Sequence, residues 1–334
     1  MPRGRHARPG QINPMLNLCE VVAERSDDIF ITVVVTEEWL GFIGSMDKPP
    51  NISFAAIPNV VPSERVRGED VTGFAVAVLT KMEEPFERLL DEFSCLPPPT
   101  VIIADAFLPW AAEVAGRRKI PLASLWTMSA SVYTVFYHFD LLVQNGHFPI
   151  DLSVNGDTIV DYIPGLSSVP VGGTTRIGTS AGDVRREGVG CGVVPSAGGP
   201  VSSLCWRILV ALWWNSTKEA VLAGLPMLTS PILMDQLTDA KAIVEDWRIG
   251  WRVWKGVFDE HNLTNSDEIA ELVGRFMNLE SSEREELTKN AKELQKSCER
   301  EFANGQSFQT NVDGFVGSIL QYSHLHALTN CFKC

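Results

Sequence analysis

IFITVVVT, residues 29–36, decides the fold. Every residue in it except Phe30 is β-branched. A continuous run of that kind is a strand buried on both faces, as in a parallel sheet covered by helices. Working outward, Ile52–Ile57 reads as a second strand. From Phe74 to Phe93 the apolar residues Val78, Met82, Phe86, Leu89, Leu90 and Phe93 keep helical spacing, with Pro85 expected to kink the helix. Val101–Ala104 is a short buried strand ending at Asp105, Trp110–Arg118 a helix and Pro121–Leu125 another strand. Strand–helix–strand at these spacings implies right-handed crossovers and a Rossmann-like open sheet.

The last third repeats the pattern. Thr217–Ala223 reads as a helix, Pro226–Thr229 as a strand, Gln236–Trp247 as a helix and Gly250–Val253 as a strand. Asn265 with Glu268, and Ser282 with Glu285, have the spacing of capping boxes for two further helices, through Leu279 and Glu301. Between the halves, residues 171–213 break the logic. They are rich in Gly, Ser and Val without a helical or strand period, and so long a structureless stretch is foreign to a compact domain. The expected class is α/β with two Rossmann-like domains, the second incomplete. The divisions are 1–170, an aberrant segment 171–213, a partial domain 214–322 and an irregular tail 323–334.

Composition excludes several partners. The 334 residues carry a formal net charge of −13, which argues against nucleic acid or an anionic membrane, since both need a basic face. No apolar run reaches the roughly 18 residues of a membrane span. Arg3, Arg5, His6 and Arg8 are followed by no apolar core, so no secretory signal is expected. The seven cysteines show no metal-ligand spacing, which points to a reduced, cytoplasmic chain without a metal.

Several motifs carry candidate chemistry. Gly10-Gln11-Ile12-Asn13-Pro14 precedes an apolar helix and reads as an ordinary loop or a substrate loop. Asp105 follows a buried strand, where open α/β sheets bind ligands, so it either orients a general base or caps the next helix. Trp214-Asn215-Ser216-Thr217 opens a helix whose free N–H groups suit a phosphate, with Glu219 a turn further on able to accept from ribose hydroxyls. The alternative is a capped helix with a solvated Glu. Asp235-Gln236 follows a short strand and could bind sugar hydroxyls or simply start a helix. Gly178-Thr179-Ser180-Ala181-Gly182 matches the serine-hydrolase elbow but lacks the strand that motif needs, and Gly188, Gly190 and Gly192 lack the dinucleotide-fold context.

Together these pieces resemble the plant UDP-glycosyltransferases. INPMLNLCEVVAE, VTEEWLGFI, ADAFLPWAAEVA, SLWTMSASVYTVFYHFDLLVQNGHFP and DYIPGLSS are similar to the acceptor domain of that family. WNSTKEAVLAGLPMLTSPILMDQ is similar to the latter part of its donor signature box. The resemblance implies a GT-B fold and an inverting, metal-independent transfer of glucose or a similar hexose. The donor is a UDP-sugar, with no further cofactor, and the acceptor a hydroxyl of a small lipophilic molecule. It places Asp105 as the residue that holds the catalytic His and puts Gln11 where that His belongs. Thr127, Trp214, Asn215, Ser216 and Glu219 fall on donor contacts, with Asp235 and Gln236 on the sugar.

The resemblance also exposes losses. Gln11 cannot take a proton at neutral pH, and MPRGRHARP stands where a first strand belongs. A long stretch has no counterpart between Ser168 and Val193, and the first half of the box is unrecognisable. Its uracil-stacking Trp and phosphate-binding His would fall on Val193 and Ala211. Back-translated and read one base later, residues 193–214 permit much of the missing half-box. The tryptophan codons of Trp206 and Trp213 then force glycine at two family glycine positions. The expectation is a family member of impaired activity. Its rival is a non-catalytic module keeping an acceptor pocket around Trp126–His138.

Overall fold

The computed structural model describes residues 12–66, 69–93, 99–148, 158–166, 168–170, 214–231, 235–253, 266–304 and 306–331. Gln11, residues 171–213 with their Gly-rich motifs, and Asn265 with its capping box lie outside the described residues. The contacts divide the rest into two units that do not follow chain order. Residues 12–126 group with 306–331, and residues 127–170 with 214–304.

In the first unit, helix α1 (Ile12–Ala23) leads into strand β1 (Ile31–Thr36), helix α2 (Glu37–Ile43) and strand β2 (Ile52–Ile57). Strands β1 and β2 pair in parallel, Ile31 opposite Ile52 and Thr36 opposite Ile57. The β-branched run is buried on both faces only towards its end, at Val33, Val35 and Thr36. Its start is one-sided: Phe30 is 82% exposed, and the Thr32 and Ser53 hydroxyls pair across the strands at 3.1 Å. The Thr36 side chain accepts the Trp39 N–H and starts α2.

The expected single helix over residues 74–93 is two. Helix α3 (Val71–Lys81) stops before Met82, and α4 (Glu83–Glu92) takes Pro85 into its first turn, where a missing N–H costs nothing. The break therefore comes ahead of the proline rather than as a kink at it. Strand β3 (Ile102–Asp105), helix α5 (Pro109–Arg118) and strand β4 (Leu122–Leu125) complete a second parallel pair. Among the described residues the pairs β1–β2 and β3–β4 remain separate sheets. Helix α1 is apolar on two faces, and both are used. Leu16, Cys19 and Ala23 pack on β1 and β2, while Leu18 and Val22 meet Val312, Val316 and Ile319.

The second unit opens with α6 (Ala130–Tyr137), capped by Ser129, and α7 (Phe139–Gln144), which pack on Val160 of β5 (Ile159–Val160) and on Ile163; β5 pairs antiparallel with β6 (Val169–Pro170). Helix α8 (Trp214–Leu222), strand β7 (Met227–Thr229), helix α9 (Gln236–Lys241) and strand β8 (Gly250–Arg252) follow, with β7 and β8 parallel. Helix α9 widens into a π-helical turn over Ala242–Asp246 instead of continuing unchanged to Trp247. Helices α10 (Ser266–Met277) and α11 (Ser282–Asn304) close this unit. The cap of α11 comes one residue earlier than expected, since the Ser281 hydroxyl accepts the Arg284 N–H at 3.2 Å. Helix α12 (Gln306–Cys331) runs through residues 323–331, where the sequence shows no pattern.

Candidate functional site

The candidate residues fall in both units. In the first, Asp105 is the last residue of β3, at the carboxyl end of the strand where open α/β sheets bind ligands. Its Oδ1 accepts the Phe107 N–H at 2.9 Å, and its carbonyl accepts the Leu108 N–H at 3.0 Å. The N-cap position of α5 belongs to Leu108, so Asp105 is not that helix's cap. Burial raises the Asp105 carboxyl above its ordinary pKa, and the Phe107 N–H partly offsets this. The Phe107 ring lies 5.6 Å from that of Trp126, which is itself buried.

In the second unit, Thr127 is half-buried just after β4. Downstream of it, Val132 and Val135 are spent on core packing, whereas Tyr137 is 70% exposed. Trp214, Asn215 and Ser216 form the first turn of α8, all half-buried, with the Trp214 ring 6.3 Å from that of Trp247. The N–H groups of such a first turn have no partner within the helix. Thr217 beneath them is fully buried, and Glu219 faces solvent. Lys218, beside Glu219, is largely desolvated, which lowers its pKa.

Asp235 and Gln236 are 2% and 4% exposed, at the start of α9. An N-cap residue is ordinarily extended and bonds the helix through its side chain. Asp235 is instead right-handed helical, at φ −68° and ψ −17°, and makes no side-chain cap bond. Its carboxylate thus meets its own N–H without capping the helix. Burial pushes its pKa up to about 6.

Sequence reasoning missed Asp239, one turn further along α9 and 1% exposed. Neither of its carboxyl oxygens makes a close hydrogen bond, the Ser129 hydroxyl meeting it only loosely. Burial first, and the Asp235 charge second, raise its pKa well above the ordinary value, against a smaller lowering by Ser129. A signal existed in the sequence. Asp239 repeats Asp235 at a spacing of four, which puts both carboxylates on one helix face. Among the described residues no group of three or more His, Cys, Asp or Glu side chains could hold a metal, and no helix is long and apolar enough to cross a membrane.

No protein-family model matches the chain. It is 34% identical to UDP-glycosyltransferase 87A1 of Arabidopsis thaliana, over 93% of its own length and 98% of that protein's. Against UDP-glycosyltransferase 87A2 of the same plant the identity is 31%, covering 93% and 94%. The first alignment spans 433 residues although the chain has 334, so part of the relative faces gaps. Among solved structures, Os79 of O. sativa in complex with U2F and trichothecene superposes with a TM-score of 0.66 at 14% identity, over 92% of this chain and 97% of that one. UDP-glucose: anthocyanidin 3-O-glucosyltransferase in complex with UDP gives 0.64 at 15% identity, over 92% and 96%. These likenesses at low identity establish the fold.

Proposed function

The chain belongs to the UDP-glycosyltransferases, a GT-B family, and on that premise we propose that it transfers glucose from UDP-glucose to a hydroxyl of a small lipophilic acceptor, with inversion and at a feeble rate. The observation that carries this reading is the Asp235-Gln236 pair. A carboxylate 2% exposed that makes no cap bond to its helix gains from hydroxyl donors of a ligand. In the same unit the first turn of α8 offers N–H groups and the side chains of Asn215 and Ser216 to a diphosphate, with Glu219 as the ribose acceptor and Thr127 at the sugar.

In this mechanism the acceptor oxygen attacks the anomeric carbon while the bond from that carbon to the diphosphate breaks. UDP leaves with the electron pair, its charge stabilised by the α8 N-terminus. No metal is required. The acceptor proton needs a base, and Asp105 is set to orient one at position 11. Gln11 is a neutral amide, so the proton passes to water and the step is slow. The loss of the first half of the signature box further weakens the donor grip. The proposed location is the cytoplasm.

The test incubates the full chain with UDP-glucose and a panel of phenolic acceptors, following UDP release and glucoside formation. Turnover should be low, and Gln11→His should raise kcat/KM by about 10²-fold, the usual worth of a positioned base. Adding Asp105→Asn to that variant should remove most of the gain. Wild-type turnover matching that of Gln11→His would overturn the impairment. Gln11 also favours a second reading, a non-catalytic binding module. Acceptor binding with no affinity for UDP or UDP-glucose would establish that reading over transfer.

A further inference from the structure

Helix α9 takes up an extra residue before it reaches Trp247. Over Ala242–Asp246 the backbone is π-helical, and the Trp247 N–H donates to the Ala242 carbonyl at 2.7 Å. Such turns are rare and recur at functional sites, because they re-aim the side chains that follow them. In an unbroken α-helix of the same residues, Trp247 would stand roughly a quarter-turn further round the axis. The widened form is held on several sides. Lys241 Nζ donates to Asp246 Oδ1 at 3.0 Å, spanning the turn. Beyond it the Ile249 N–H donates to the Ile243 carbonyl at 2.9 Å, with Arg248 left-handed at φ 53°. The Asn290 amide of α11 donates to the Arg248 carbonyl at 3.0 Å.

The re-aimed indole meets the first turn of α8. Its ring centroid lies 6.3 Å from that of Trp214, with the planes at 42°, within the range where aromatic pairs attract. Helix α8 has nine residues, too few to hold a direction by itself. Its far end is fixed by the core, where Ala220 and Val221 pack with Met227, Ile243, Ile249 and Ala291. The Gln295 amide of α11 also donates to the Leu222 carbonyl there, at 2.9 Å. Trp247 packs against the same core. It therefore ties the end of α8 that offers N–H groups to the body that already holds the other end, and two anchors fix an axis.

We infer that Trp247 is a positioning residue of the donor site, which acts through Trp214 to aim the first-turn N–H groups of α8 at the diphosphate. It does not touch the nucleotide, and the π-helical turn is what delivers it to Trp214. The inference rests on the reading of the α8 N-terminus as the diphosphate site. A small misalignment of such donors is costly, since their worth depends on where they point.

The experiment measures the affinity of the full chain for UDP by calorimetry, in wild type, Trp247→Ala, Trp247→Phe, Trp214→Ala and the double variant Trp214→Ala/Trp247→Ala. Trp247→Ala should lose about tenfold, the upper scale of one aromatic pair, and Trp247→Phe should recover most of that loss. The double variant should bind UDP no more weakly than Trp214→Ala alone, because the two residues act as one unit. Binding of a phenolic acceptor should be the same in all five proteins. Should Trp247→Ala fail to fold, Trp247→Leu keeps the bulk without the ring and carries the same comparison. Unchanged UDP affinity on loss of the indole, or losses that add in the double variant, would overturn the inference. So would an equal fall in acceptor binding, which would reduce Trp247 to a structural role. Each of these results leaves the donor site standing. Wild type with no affinity for UDP would instead overturn the reading of α8 on which the inference depends.

Discussion

Burial raises the Asp235 pKa to about 6, and this couples stability to pH with a definite sign. An unfolded aspartate titrates near 3.9. Between these values the folded chain holds more protons than the unfolded one, so stability falls as pH rises. The stabilisation from this group is complete below about pH 4 and is lost as pH passes through about 6. Asp235→Asn should therefore unfold later than wild type at pH 7, by up to about 3 kcal/mol for a two-unit shift, and the gap should close at pH 4. Denaturant titrations at both pH values test this, and an equal gap at each would contradict it. The same substitution should weaken UDP-glucose binding, the usual exchange of site function for stability. At this scale the sequence shows Asp235 and Gln236 by resemblance but hides Asp239, since an acidic residue within a helical pattern reads as part of a solvated face.

Single elements were legible where side-chain chemistry is local. The short apolar runs locate β1, β2, β3 and β4 to within two residues, most plainly the β-branched run at β1, because burial acts on the strand itself. The break at Met82 and the early cap at Ser281 were less legible, because neighbouring residues could do either job. Two helix and strand details lead to predictions. Helix α5 ends at Lys119 in the left-handed region, φ 56°, with the Ile120 N–H closing back on the Ala115 carbonyl at 2.9 Å. Glycine adopts that conformation without strain, so Lys119→Gly should stabilise the first unit by about 1 kcal/mol, read from the denaturation midpoint. At Gly250 a Cβ would stand 2.3 Å from the Met227 carbonyl oxygen, a backbone atom of the paired strand. Gly250→Ala should force β7 and β8 apart and cost about 3 kcal/mol or more, visible as lost solubility or a lowered Tm.

For the whole molecule, local pattern says least. Read in chain order, the sequence divides near residue 170, yet α12 joins the unit of residues 12–126. Nothing local marks that return, because it depends on apolar residues about 290 positions apart in sequence finding one another. Val312, Val316 and Ile319 occupy one face of α12 and cover Leu18, Val22, Ile29 and Leu125. Ile319→Ala should cost about 2–4 kcal/mol and should destabilise the first unit. Protection of the α1 amides from hydrogen exchange would report the loss, and unchanged protection there would sink the prediction. The Arg25–Asp313 ion pair, at 3.0 Å on the surface, adds less than about 1 kcal/mol to the same contact.

That return of α12 sets an order of events during synthesis. Leu18, Val22, Ile29 and Leu125 leave the ribosome long before the helix that covers them. At roughly 5–20 residues per second, the interval between Trp126 and Gln306 is about ten seconds or more. Over that time the nascent chain displays an open greasy face, a natural client for chaperones that grip extended apolar segments. Production in cells should therefore improve with extra chaperone, and should suffer most from a stop codon placed ahead of Gln306.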